Sequence, residues 1–151
     1  MTRVAIREEE WHEARPEIAL LVGEHWKEIA RDHAAVPLDP DWERYREINY
    51  AGKLAVVTAR AEGKLVGYFI GIVDTHLHYQ TTAYGWADVF YLTPKYRKGL
   101  TGYRLLSKAV EACERRGAVK LSFGTKVHKD MGILLERLGF KETERLFTKV
   151  K

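Results

Sequence analysis

Val4 and Ile6 alternate with Arg3, Ala5 and Arg7, the two-residue period of a short first strand. The period then changes. Ile18, Leu21, Val22, His25, Trp26 and Ile29 recur at helical spacing, with Glu8–Arg15 as a polar lead-in. Proline is tolerated in a first helical turn but not in an interior, so the helix is predicted to start at Pro16 and to run to about Arg31. A loop with two prolines, Asp32–Asp41, leads to a second helix ending near Tyr50, capped by Asp39 or Asp41. Leu54–Arg60 and Leu65–Val73 are apolar runs joined by Glu62-Gly63-Lys64, an antiparallel hairpin. The polar and aromatic stretch Asp74–Tyr84 follows, then a third antiparallel strand over about Gly85–Leu92.

The longest helical pattern covers Leu100–Arg116, with Leu105, Leu106, Ala109, Val110 and Cys113 on its apolar face and Gly117 as its stop. Val119–Phe123 reads as a strand. A last helix is predicted over Lys129–Leu138 from Met131, Leu134, Leu135 and Leu138, with a final extended segment from Phe140 to Val150. The order β-α-α-β-β-β-α-β-α-β predicts an α/β (α+β) fold: a mixed, mostly antiparallel sheet with helices on both faces.

Length and composition narrow the class. The 151 residues suit a single domain over 1–151, and 46% apolar residues suit a globular core. No apolar run approaches the ~18 residues that a membrane span needs, and no membrane partner is expected. The first ten residues hold no apolar signal core. One cysteine, Cys113, excludes an internal disulfide framework and makes a reducing, cytoplasmic setting the default. Charge is unevenly divided. Residues 1–50 carry 7 Lys/Arg and 12 Asp/Glu, whereas residues 51–151 carry 18 and 9. The basic part suits a polyanionic cofactor, and the acidic part suits a cationic substrate or plain solvated surface.

The basic part contains the most informative stretch, Asp88–Leu106. A strand, a proline turn and a glycine-containing basic loop run into a helix start there. A helix N-terminus offers unpaired N–H groups and a positive dipole end to anions. Gly99 and Gly102 permit close backbone approach, and Arg97 and Lys98 add charge. The loop is neither Gly-x-x-x-x-Gly-Lys-Ser/Thr nor Gly-x-Gly-x-x-Gly. Arg97-Lys-Gly-Leu-Thr-Gly102 resembles the Arg/Gln-x-x-Gly-x-Gly/Ala segment of the GCN5-related N-acetyltransferases (GNAT family). Leu100 stands in place of the middle glycine, and Gly99 sits one residue early. Met131–Phe140 is similar to that family's Leu-Tyr-x-x-Leu-Gly-Phe segment. The resemblance covers nearly the whole chain, but eleven residues after Phe140 are few for the family's two closing strands.

The resemblance implies acetyl-coenzyme A as co-substrate and an amine-bearing acceptor. Arg97, Lys98, Gly99, Leu100, Thr101 and Gly102 would grip the pyrophosphate. Backbone groups of Phe90, Tyr91 and Leu92 would pair with the pantetheine arm and polarise the thioester. Asp88 stands where many members carry a catalytic glutamate, and an acid in an apolar strand is costly without a task or partner. It is the expected base, acting through water. Leu135 stands where many members place a tyrosine general acid. His128, at the expected start of the last helix, is a candidate substitute. A thiolate leaving group with a conjugate acid near pKa ~8.5 departs with little help. Trp42 and Tyr45 would line the acceptor pocket, although packing on the sheet accounts for each ring taken singly. His76-x-His78 lacks a Cys or carboxylate at ligand spacing, so no metal site is predicted, and the pair is placed on the substrate side.

Two other readings stay open at this level. One is a catalytically degenerate domain that binds acyl-coenzyme A or a protein partner. The other is a nucleic-acid module, because Gly99-Leu-Thr-Gly102 with basic flanks fits the Gly-x-x-Gly loop of K-homology domains. Nucleic acid is the weaker partner, since that loop joins two helices and here a strand comes first. A homodimer paired through the C-terminal segment is a further expectation.

Overall fold

The computed structural model describes residues 2–151; Met1 lies outside them. Strand β1 spans Val4–Glu8, helix α1 Trp11–Ile29 and helix α2 Trp42–Tyr50. Strands β2 (Leu54–Ala61), β3 (Lys64–His76) and β4 (Tyr79–Leu92) follow. A 3-10 turn at Pro94–Tyr96 leads into α3 (Thr101–Arg115), β5 (Lys120–Ser122) and α4 (Gly132–Arg137). The sheet order is β1-β2-β3-β4-β5, antiparallel except for the β4–β5 pair.

Two cores lie on opposite faces of this sheet. On one face, Ala55, Val57, Ala59 and Phe69 pack with Leu105, Leu106, Ala109 and Cys113 of α3 and Leu135 of α4. On the other, Val56, Tyr68, Ile70 and Tyr91 pack with Trp11, Ala14 and Ile18 of α1, and with Trp42 and Tyr45 of α2. Strand β2 is buried on both faces, which is why it reads as a continuous apolar run rather than an alternation. Close approach of β5 also fixes Gly85, where an added Cβ would lie 2.8 Å from the Leu121 side chain.

Charged groups where α1 crosses the β1–β2 edge are paired. Arg60, 10% exposed, donates two bonds to Glu9 (2.9 and 3.1 Å) and one to Glu17 (2.7 Å). The second Glu17 oxygen accepts from the Leu65 amide at 3.0 Å. Burial works against the Glu9 carboxylate, but bonds from Arg60 and Arg7 outweigh it and hold its pKa below the ordinary range.

Several boundaries differ from the sequence reading. Helix α1 begins at Trp11, and Pro16 sits inside it. Buried Trp11 and Ala14 anchor that first turn in the core, which offsets the lost backbone bond. The β3–β4 hairpin extends through most of Asp74–Tyr84, with only Leu77 and His78 at its tip. Helix α4 starts at Gly132 rather than Lys129. Asp130 accepts from the Gly132 amide at 2.8 Å, and Thr125 Oγ1 accepts from the Met131 amide at 2.7 Å, so a side-chain-bonded turn replaces the first helical turn. Residues 141–151 form no strand and are exposed.

Candidate active site

Strand β4 pairs with β3 from Ala83 to Leu92 apart from Asp88, and is paired only in part on its other edge. Its parallel partner β5 covers Tyr84, Gly85 and Trp86 and then diverges. From Ala87 onward the second edge has no strand against it among the described residues. The Thr93 amide donates to Val66 at 2.8 Å. By strand alternation the backbone groups of Tyr91 and Val89 also face β3, while those of Phe90 and Leu92 face the open edge. Tyr91 therefore differs from the sequence expectation: its backbone lies in the ladder opposite Tyr68, and only its side chain contributes beyond it.

Asp88 is an inserted residue. Ile70 pairs with Val89 and Gly71 with Ala87, so Asp88 has no partner across the strand. The bulge turns its carboxylate towards α2, where Tyr45 Oη–H donates to it. The Tyr45 ring stacks on Trp11 at 5.1 Å and is fixed by that packing. Burial first, and then the Asp88 bond, raise the Tyr45 pKa, so the phenol stays protonated and serves as a donor.

Beside this pair lies a second polar group within the α1 face. The His25 ring stacks on Tyr91 at 5.0 Å, and its Nδ1 lies 3.4 Å from Tyr68 Oη. Burial lowers the His25 pKa to about 4, so the imidazole is neutral near pH 7. Next to it, Arg97 makes a two-pronged pair with Glu28 of α1, both contacts at 2.5 Å, and its Nε donates to Leu92 O at 2.7 Å. The guanidinium also lies over the Tyr91 ring.

The basic loop completes the edge. Gly99 has φ +74, a left-handed conformation that favours glycine, and turns the chain into α3. Helix α3 has no side-chain cap at Leu100, and its first helical bond runs from the Arg104 amide to Leu100 O. The amides of Thr101, Gly102 and Tyr103 precede that bond and form an uncapped, electropositive end. Gly102 has free space around it, its nearest neighbour to an added Cβ being Leu134 at 3.8 Å. Lys98 is exposed at the loop's outer side.

A family model for the acetyltransferase (GNAT) family matches residues 6–140. The chain belongs to the GNAT family. No curated protein matches it. Among solved structures it is similar to a glucosamine-6-phosphate N-acetyltransferase from Arabidopsis thaliana (TM-score 0.73, 16% identity, 97% of each chain covered). It is similar as well to a ribosomal-protein-alanine N-acetyltransferase from Brucella melitensis biovar Abortus 2308 (TM-score 0.68, 17% identity, 99% of each chain). An aminoglycoside N-acetyltransferase solved with coenzyme A gives a TM-score of 0.69 at 17% identity, over 97% of this chain and 98% of that one. These likenesses show the fold, the mixed five-stranded sheet being the GNAT sheet, and the family match places the chain among the acetyltransferases. The strand–turn–helix setting of Gly99–Gly102 also removes the K-homology reading, which needs a helix on each side of the loop.

The other expected residues of this GNAT chain are spread around the edge. Trp42 packs 6.0 Å from Trp11 under Arg15, in the α1/α2 core. His76 and His78 stack on each other at the hairpin tip, and no metal-binding cluster occurs among the described residues. His128 lies in the turn between Lys126 and Lys129, ahead of α4, with its Nε2 buried and unpartnered. Leu135 is buried in the α3-side core and offers no proton. Burial pushes the Cys113 thiol up to about 11, which makes it core rather than nucleophile. The sequence reading missed Glu28 and counted His25 only as part of an apolar stripe. Their polarity at helical spacing i and i+3 was the available signal.

Proposed function

We propose that this GNAT chain transfers an acetyl group from acetyl-coenzyme A to a primary amine. The observation that carries the reading is the half-paired β4, whose open edge leads through the Pro94–Tyr96 turn and the basic loop to the uncapped amides of α3. An extended amide-bearing arm fits the edge, and a diphosphate fits the helix end. Acetyl-coenzyme A supplies the acyl group. Outward N–H groups on Phe90 and Leu92 provide donors where negative charge develops on the thioester oxygen. Asp88 accepts the acceptor's proton, directly or through water, while Tyr45 holds its carboxylate in place. Neither Leu135 nor Cys113 takes part. The single unpaired thiol fits a reducing, cytoplasmic compartment. Residues 141–151, with Leu146 92% and Phe147 90% exposed, are the segment we assign to pairing between two copies.

Isothermal titration with acetyl-coenzyme A, with desulfo-coenzyme A as comparator, tests the cofactor half. Binding by the wild type and its loss in Gly102→Glu, which sets a carboxylate at the helix end, is the expected result. Asp88→Asn then retains binding and loses roughly 100- to 10,000-fold in turnover. No binding by the wild type would overturn the reading.

A further inference from the structure

Beyond Asp88, towards the hairpin tip, the α1/α2-side face of β3 and β4 carries rings that no helix covers. The rings of His76, Tyr79, Tyr84 and Trp86 form a continuous ladder. Tyr79 stacks on Tyr84 at 5.7 Å, Tyr84 stacks on Trp86 at 6.2 Å, and His76 lies 5.8 Å from Tyr79 and 6.1 Å from Trp86. None of the four belongs to either core, and Tyr79 is 56% exposed. Cross-strand ring pairs stabilise a hairpin, but one exposed and three half-buried rings on one surface exceed what pairing alone requires.

The occupant is indicated by the chain itself. Lys120, the register partner of Tyr84 on β5, holds its ammonium 5.3 Å from the Tyr84 centroid. That is within the range at which a ring face attracts a cation. Carboxylates flank the ladder. Asp74, opposite Tyr84, is bound to Lys53 at 2.8 Å, and Asp88 lies at the other end. At ~3.3 Å per residue, Asp88 is roughly 7 Å along the strand from Trp86 and 13 Å from Tyr84.

We propose that this shelf is the acceptor subsite and selects small di- or polycations. One ammonium rests on the Tyr84–Trp86 faces while a second amine, deprotonated, reacts at Asp88. This rests on the acetyl-transfer reading and deepens it by naming the acceptor class. The attacking nitrogen forms the new N–C bond, the C–S bond breaks with its electron pair leaving on the coenzyme A thiolate, and the proton on nitrogen passes to Asp88. The distal ammonium changes nothing covalently and contributes only to binding.

The test compares diaminooctane with aminooctanol, which replaces the distal ammonium by a hydroxyl on the same chain. Two readouts are taken. In the first, indole N–H resonances of the labelled protein are followed during titration. The diamine is expected to shift Trp86 and leave Trp26 in place; an unmoved Trp86 overturns the proposal whether or not turnover occurs. In the second, kcat/KM is measured with acetyl-coenzyme A. The diamine is expected to exceed the amino alcohol by ~5- to 30-fold, mainly through KM. A Tyr84→Leu/Trp86→Leu variant brings that ratio to about one. Lys120→Gln, which removes the resident ammonium, strengthens diamine binding. Equal use of both acceptors by the wild type, or weaker diamine binding by Lys120→Gln, overturns the shelf. Failure of acetyl-coenzyme A to bind overturns the acetyl-transfer reading instead and leaves the indole result to stand alone.

Discussion

Glu28 is predicted to restrain the cofactor site by occupying Arg97. A guanidinium has five N–H donors. Arg97 commits Nε to Leu92 O and one donor from each terminal nitrogen to Glu28. A diphosphate seeking the same fork must displace that carboxylate. Hydrogen bonding from Arg97, the largest influence, holds the Glu28 pKa below the ordinary range, so the carboxylate remains a competitor at neutral pH. Charge-assisted bonds contribute roughly 1.5–3 kcal/mol when shielded and far less at the surface. Arg97 is 38% exposed and Glu28 17%, which places the pair between those limits. Allowing for solvent screening, the pair costs a competing ligand about 1–2 kcal/mol. Glu28→Gln keeps the shape of the side chain and removes its charge. It should tighten coenzyme A binding by about 5- to 30-fold in isothermal titration at low salt. The gain should vanish in the Glu28→Gln/Arg97→Ala double variant, because no fork remains to be released. Unchanged or weaker binding by Glu28→Gln would refute the reasoning: Arg97 would then be a brace between α1 and the end of β4, with the helix amides alone serving the anion.

Arg60→Met should lower stability at pH 7 by about 3–5 kcal/mol, since it leaves Glu9 buried without its main cation. The Glu9 and Glu17 pKa values are depressed in the folded state, so their contribution is present above the unfolded carboxylate range and is lost as pH falls through the depressed values. Urea titrations should therefore show the gap between wild type and variant narrowing below pH ~4; a constant gap would deny the ion cluster this role. For the C-terminal segment, sedimentation should give a dimer that a Leu146→Lys/Phe147→Lys variant abolishes, and a wild-type monomer at every concentration would exclude it.

The sheet and the two long helices were legible because their signals are local. Alternation marks β1, helical spacing marks α3, and Gly63 and Gly117 mark the ends. Helix α1 was misjudged at its start because tertiary burial of Trp11 overrides the local cost of Pro16. The long hairpin was missed because its polar and aromatic residues, Asp74–Tyr84, face solvent on a two-stranded arm. No core required them to alternate cleanly. Within the site, the chain order of Asp88 and the 97–102 loop could be read directly. The Tyr45–Asp88 bond joins residues 43 apart and the Arg97–Glu28 pair residues 69 apart. Neither leaves a periodic trace, since both depend on how α1 and α2 lie across the sheet.

The unpaired residue in β4 changes which side chains share a face. Before it, Tyr84 and Trp86 lie on the α1/α2 side of the sheet while Gly85 and Ala87 lie on the α3 side. After it, Val89 and Tyr91 take the α1/α2 side and Phe90 and Leu92 the other. The strand thus counts in even numbers up to the acid and in odd numbers beyond it. Losing that one residue would leave a plain alternation in which Tyr84, Trp86, Val89 and Tyr91 keep their common side, and would remove only the carboxylate. A one-residue slip of the whole pairing, by contrast, would turn every ring to the opposite face. Two-residue steps keep each side chain on its own side, and single steps exchange the two interiors.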